Sequence, residues 1–272
     1  MDGARSGIVI TVFSTASAVG KTLISINMAA ELAHEGHHVC LVDLDLQFGD
    51  VSNYLKLAPA KTLADAQRAA ERDTEAFDPM PFLTEYRYKG VSFSVMAGPL
   101  ELAEAYNMSP LTVAHIVKQL QYRFDYLVLD TTSTFSELNL SLLDMGTIIT
   151  FLGIVDFIPT IKNMKSGCDT IRSMGYDSNK IRLVLNRSNS KTRIDLEDVE
   201  QLLGEPFYHV LPNDFVAAQQ SIQMGVPLVL SSQSASLAKE LRNLVGRYTN
   251  QEIEQSETQH GVSSWFKKIF NK

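Results

Sequence analysis

Along the chain, short runs of aliphatic and β-branched residues alternate with longer stretches in which apolar residues recur every three or four positions. Runs at 8–13, 38–43, 91–96, 126–130, 147–155, 181–186 and 207–211 read as strands. Several are apolar on successive residues rather than on alternate ones, the mark of parallel strands buried on both faces. Helical periodicity marks 21–35, 111–121, 159–174, 196–203, 216–224 and 236–245, with Asp195 and Asp214 placed to cap two of these helices. Strand, helix, strand, repeated, predicts an α/β fold with a doubly wound, mostly parallel sheet flanked by helices. Ligands in such folds bind outside the carboxyl ends of the strands, so the residues just after each strand carry the chemistry. The segment 61–81 is charged and alanine-rich, and reads as a solvated helix with a loop.

The pattern changes after Tyr248. Residues 250–262 are polar, with three glutamates and no basic residue, and read as a linker. Residues 263–272 turn aromatic and basic. The organisation predicted is one domain over 1–249, a linker over 250–262 and a tail over 263–272.

Composition narrows the function classes. The chain has 272 residues, 45% of them hydrophobic and 20% charged, which is ordinary for a folded globular protein. With 24 basic against 31 acidic residues the net charge is -7, which argues against nucleic-acid binding by bulk charge. A basic cluster at Lys180, Arg182, Arg187, Lys191 and Arg193 does not change that, so DNA is not an expected partner. Cys40 and Cys168 lie far apart, without metal or redox spacing, and fit a reducing cytoplasm better than a disulfide framework. His37, His38 and His115 have no metal-ligand partner at helical spacing. No apolar run approaches the roughly 18–20 residues that would span a bilayer. Arg5, the run 8–13 and Ala16-Ser17-Ala18 resemble a signal peptide only superficially, because the run is short and Gly20-Lys21-Thr22 follows at once.

That tripeptide is the first chemical signal. The strand at 8–13 runs into Ser14-Thr15-Ala16-Ser17-Ala18-Val19-Gly20-Lys21-Thr22 and then into a helix pattern. This is the setting of a phosphate-binding loop, in which backbone N–H groups at a helix N-terminus hold an anion, a lysine reaches the terminal phosphates and a hydroxyl serves Mg²⁺. The opening glycine of the strict motif is replaced by Thr15. Two other strands end in carboxylates, the second at Asp43 with Asp45 beyond it and a later one at Asp130. Carboxylates so placed beside a phosphate loop suit Mg²⁺ and an attacking water.

The segment 39–50, Val-Cys-Leu-Val-Asp-Leu-Asp-Leu-Gln-Phe-Gly-Asp, resembles the signature of the MinD/ParA family of deviant Walker P-loop ATPases. Within that family the chain is most similar to the CpaE/TadZ branch, which localises the Tad (Flp) pilus assembly machinery. The resemblance continues through Gly98-Pro99-Leu100-Glu101-Leu102-Ala103-Glu104, 124–130, Val184-Leu185-Asn186-Arg187, Leu211-Pro212-Asn213-Asp214 and Gly225-Val226-Pro227, and so covers roughly residues 6–246. It implies a P-loop NTPase fold that binds ATP and Mg²⁺ and forms a homodimer with nucleotide sandwiched between subunits. The loop from Thr15 to Thr22 would hold the phosphates: Thr15, Ala16, Ser17, Ala18, Val19 and Gly20 by backbone, Lys21 by its ammonium. Thr22, Asp43 and Asp130 would serve Mg²⁺, and Asp45 would orient the hydrolytic water. Asn186 would meet the adenine edge with Arg187 beside the base, and Pro212, Asn213 and Asp214 would close over it.

The departures from the family pattern carry their own expectations. Members usually have a lysine at the position of Ala16, which reaches across the dimer to the partner's nucleotide; here that charge is missing. Ser17 and Ala18 stand where the pattern has glycines that allow positive φ, at a cost on the order of 1 kcal/mol for each residue forced there. Thr132 and Thr134 replace the usual proline and glycine after Asp130. The expectation is ATP binding with weak or slow hydrolysis.

In the tail, Trp265, Phe266, Ile269 and Phe270 fall inside an arc of about 140° at 100° per residue, with Lys267, Lys268, Asn271 and Lys272 on the rest. Aromatic residues facing lysines make an interfacial membrane helix, and the tail resembles the membrane-targeting tail of MinD. The implied location is cytoplasmic, on the inner face of the cell membrane, where an anionic surface and pilus assembly proteins would be the partners and a cell pole the candidate place. Alternatives are a cycling ATPase that places the division site or flagella, a pseudo-ATPase scaffold whose tail docks on protein, and a metabolic P-loop enzyme.

Overall fold

The computed structural model describes residues 6–188 and 194–250. The linker from 251 onward and the tail over 263–272, including the membrane-binding set 265–270, lie outside the described residues, as do Lys191 and Arg193.

The described residues contain one sheet of eight strands: β1 (Ile8–Phe13), β2 (Val39–Asp43), β3 (Thr84–Tyr88), β4 (Val91–Met96), β5 (Tyr126–Asp130), β6 (Ile148–Gly153), β7 (Ile181–Ser188) and β8 (His209–Pro212). Their order across the sheet is β3-β4-β2-β5-β1-β6-β7-β8, and every neighbouring pair is parallel except the β3–β4 hairpin at one edge. The helices are α1 (Lys21–His34), α2 (Val51–Leu55), α3 (Leu63–Arg72), α4 (Leu102–Tyr106), α5 (Pro110–Gln121), α6 (Glu137–Met145), α7 (Ile158–Ser173), α8 (Leu196–Leu203), α9 (Phe215–Met224), α10 (Leu228–Ser231) and α11 (Ser236–Thr249).

Successive side chains of a strand face opposite sides of a sheet, and both sides here are covered. Ile10, Val12, Leu41 and Val128 pack with α1, α10 and α11 on one face. Val9, Cys40, Val42, Leu127 and Leu129 pack with α3, α5 and α6 on the other, beside a further cluster of Phe13, Phe151 and Leu183 with α7 and α8. Burial pushes the Cys40 thiol up, which makes it an inert core residue, and carries the Cys168 thiol up to about 12.

Helices α2, α4, α6 and α10 were not read from the sequence, and two further features depart from its expectation. Strand β3 was not foreseen, because an edge strand with the burial of Thr84–Tyr88 shows no apolar run. Its hairpin turns through Lys89 and Gly90, both at positive φ, as a two-residue turn of the primed type requires. Nor is the helix of 61–81 solvated. Leu63, Ala66 and Ala70 of α3 are buried against the sheet, and Thr62 and Asp65 form a capping box at its start. Alanines carry that contact, so the stripe is close-packed yet faint in hydropathy. The caps at Asp195 and Asp214 are as expected, accepting from the backbone N–H groups of Glu197 and Ala217.

Strand β1 lies between β5 and β6, so the connection from β5 to β6 crosses over it and the winding reverses there. That switch point opens a crevice at the carboxyl end of β1, where the loop of residues 14–20 lies.

Candidate functional site

The loop between β1 and α1 is held from several sides. Gly20, the residue before α1, has φ 95°, and a Cβ there would come within 2.7 Å of Asn186 Nδ2. Ala18 also sits in the left-handed region at φ 57°, so one of the two non-glycine replacements bears the strain expected of it; Ser17 is not among the residues with positive φ. The loop carbonyls are tied to neighbouring strands. Asn186 Nδ2 donates to Val19 O at 2.8 Å, Arg187 Nη2 to Ala18 O at 2.9 Å and Ser133 Oγ to Ala16 O at 2.8 Å. Thr15 Oγ1 donates to Asn163 O at 3.0 Å, an approach allowed by Gly167, where a Cβ would meet the Thr15 methyl at 2.3 Å. No side chain caps α1, so its first-turn N–H groups face the crevice with the positive end of the helix.

Lys21 is half-buried at the start of α1, and its Nζ donates to Ser133 Oγ at 2.8 Å. Burial pulls its pKa below the ordinary lysine value, while Asp130 and Asp45 push the other way. Sheet order supplies the carboxylates. Because β5 lies between β1 and β2, Asp130 is in register with Val12 on one side and with Asp43 on the other. Both aspartates are almost fully buried. Asp43 accepts from the backbone of Asp45 and Val51, each at 3.3 Å, and a Cβ on Gly49 would lie 2.5 Å from its Oδ2. The glycine of Phe48-Gly49-Asp50 is therefore demanded by the close approach of Asp43.

Asp130 Oδ1 accepts from Ser25 Oγ at 3.0 Å, with Thr22 also hydrogen-bonding the carboxylate. Its Oδ2 is buried with no hydrogen-bond partner. Burial raises the Asp130 pKa to about 6, against the Thr22, Ser25 and Lys21 contributions, and burial with the Asp130 charge pushes Asp43 well up. Two adjacent buried carboxylates, one with an orphaned oxygen, fit a divalent cation and its waters. No cluster of three or more metal-ligating His, Cys, Asp or Glu side chains occurs among the described residues.

Ala18, Gly20, Lys21, Thr22, Asn186 and Arg187 line a cleft of about 620 Å³ together with Asp45, Phe48, Pro212, Asn213, Asp214 and Phe215, while Asp43 and Asp130 lie buried behind Lys21 rather than on the cleft wall. That volume is ample for a nucleoside phosphate. The fold thus brings the expected loop, carboxylate and base-side residues into one place. Asn186 differs in detail, since its amide donates to the loop carbonyl of Val19. Ser25, Ser133 and Asn139 were missed. Ser25 was legible one helical turn after Lys21; the other two have no local signal.

Asp130 gives a prediction with a definite sign. Its folded pKa of about 6 lies above the ordinary carboxylate value of 3.8, so the folded state binds the proton more tightly. The metal-free protein should be favoured by this group at acid pH and lose that contribution as pH rises from about 4 through 6. Asp130→Asn should raise the metal-free Tm at pH 7.5, by up to about 3 kcal/mol of stability, with little gain at pH 4, while destroying Mg²⁺ dependence. Thermal unfolding at both pH values, with and without Mg²⁺ and ATP, checks this. An equal change at the two pH values would contradict it.

Comparison with known proteins agrees with this geometry. The sequence model of the family described as the CobQ/CobB/MinD/ParA nucleotide binding domain matches residues 10–224. The chain is 23% identical over 250 residues to the septum site-determining protein MinD of Thermotoga maritima, covering 89% of this chain and 88% of that one. Its fold is similar to the ParA family ATPase of Chlorobium tepidum TLS, with TM-score 0.79 and 20% identity over 88% of this chain and 99% of that one. It is likewise similar to the septum site-determining protein MinD of Pyrococcus horikoshii OT3, solved in complex with Mg-ADP, with TM-score 0.75 and 19% identity over 89% and 96% of the two chains.

Proposed function

The chain belongs to the CobQ/CobB/MinD/ParA family of nucleotide-binding domains, and from that premise we propose that it is an ATP- and Mg²⁺-binding localisation factor that dimerises and works at the inner membrane surface with slow hydrolysis. One observation carries the reading: Lys21 at the helix N-terminus stands beside the buried Asp43–Asp130 pair, with the orphaned Asp130 Oδ2 among them. In this reading the loop N–H groups and Lys21 bind the phosphates, while Thr22, Asp43 and Asp130 hold Mg²⁺ through its waters. Asp45 orients the water. Asn186, Arg187 and Pro212–Asp214 flank the base, and exposed Phe48 and Phe215 at the cleft mouth offer apolar surface to a second subunit.

Slow hydrolysis follows from position 16. Ala16 brings no cation to a partner's nucleotide, and the basic residues lining the cleft are Lys21 and Arg187. A cation on the transferring phosphoryl group is worth about 10³–10⁵ in rate. The tail would supply the membrane contact. A ten-residue amphipathic helix binds weakly alone, and two on one ATP-bound dimer add by avidity, so ATP would switch attachment. The sequence motifs favour Tad-type pilus machinery as the cargo.

The test is co-sedimentation with anionic vesicles in the absence of nucleotide, with ADP and with ATP, with phosphate release read in the same tubes. ATP-dependent pelleting with little phosphate release is expected, and Phe266→Glu should abolish the pelleting. Brisk release would make the protein a cycling ATPase. Equal pelleting in all conditions, or pelleting unchanged in Phe266→Glu, would reject the switch.

A further inference from the structure

The loop after β5 reads Thr131-Thr132-Ser133-Thr134, four hydroxyls in a row. Three are committed to holding the loop itself. Thr131 Oγ1 donates to Val12 O at 2.8 Å, anchoring the loop to β1. Asn139, buried in the first turn of α6, donates from Nδ2 to Thr132 Oγ1 at 2.7 Å and to Thr134 O at 2.6 Å, and the hydroxyls of Thr132 and Thr134 lie 3.3 Å apart. A loop clamped on both sides leaves one hydroxyl, that of Ser133, turned to the phosphate loop.

Ser133 makes two bonds there. A serine hydroxyl has one proton to give and lone pairs to receive. The proton goes to Ala16 O, and a lone pair accepts from Lys21 Nζ, both at 2.8 Å. Donation in one direction polarises the oxygen for acceptance in the other, so the two bonds support each other. The consequence for Lys21 follows from its surroundings. Its flexible stem carries an ammonium into a half-buried place near Asp130 and Asp45, which would otherwise draw it into an ion pair. A neutral acceptor fixed on the far loop holds it over the phosphate loop and uses one of its three N–H bonds.

We propose that Ser133 is a positioning residue for Lys21, holding the ammonium where two N–H bonds remain for a nucleotide's phosphates. The proposal rests on the nucleotide-binding reading above. It places in the β5–α6 loop a part of the phosphate site that the Gly20-Lys21-Thr22 segment does not contain, and it makes Ala16, through its carbonyl, the seat of that part.

Ser133→Ala and Ser133→Thr test it, with affinities for fluorescent N-methylanthraniloyl ATP and ADP measured on the full chain. Ser133→Ala should weaken both nucleotides about tenfold, the size of one hydrogen bond to a charged group. Ser133→Thr, which keeps the hydroxyl, should stay within about twofold of wild type. In the nucleotide-free proteins, hydrogen exchange at the amides of 15–21 should quicken in Ser133→Ala and not in Ser133→Thr. Affinity unchanged in Ser133→Ala, or equally lost in Ser133→Thr, overturns the inference while wild-type binding leaves the functional reading intact. A wild type that binds neither nucleotide defeats that reading, and the inference with it.

Discussion

Lys21→Ala should lower ATP affinity by a factor on the order of 10²–10³ and abolish ATP-dependent vesicle pelleting, with the fold retained. Lys21 is the only ammonium among the residues lining the cleft, and it stands against the buried carboxylates. A hydrogen bond to a charged group contributes about 1.5–3 kcal/mol, and two phosphates would be contacted. The loss extends past the missing contacts. Lys21 lowers the pKa of Asp130, so without it the carboxylate pair holds its proton to higher pH and competes less well for Mg²⁺. Calorimetric titration with ATP at pH 6.5 and 8 reads both effects: affinity should be weak at both values and weaker at the lower. Affinity within threefold of wild type would show that the anion lies elsewhere.

Ala16→Lys should raise phosphate release by on the order of 10²-fold or more while leaving ATP affinity within a few-fold of wild type. Two features of the wild-type loop bear on that substitution. Its backbone takes the left-handed turn at Ala18 without glycine, and the carbonyl of residue 16 is fixed by Ser133. Ala16 is half-buried and packs at the margin of the core, so the longer lysine stem has to turn away from that contact. In the proposed dimer the lysine would act on the partner's nucleotide, so specific activity should rise with protein concentration until the dimer saturates. Release that stays at the wild-type level would place the slow step elsewhere, with the Thr132–Thr134 loop the next place to look.

Much of this was visible in the chain before folding. The runs of β1, β2 and β5 are buried on both faces and therefore apolar throughout, so their pattern is strong and local. β2 and β5 end at Asp43 and Asp130, and one short loop joins β1 to Gly20-Lys21-Thr22, which is why the phosphate loop and Asp43, Asp45 and Asp130 could be singled out. Elements that satisfy weaker local rules were harder to see. Strand β3 alternates half-exposed residues at an edge, and α3 buries alanines in place of large side chains.

The amino-acid sequence by itself determined the alternation of strands and helices, the loop chemistry and the departure at Ala16, because each is written in neighbouring residues. The tertiary structure alone decided that β5 enters between β1 and β2, since strand order depends on contacts between residues far apart in the chain. That insertion sets Asp130 against Asp43 in one register, drives both carboxylates up in pKa and brings Ser133 to Lys21 across 112 residues of sequence. Burial and distance exist only once the sheet is assembled, and they turn a list of plausible residues into a site.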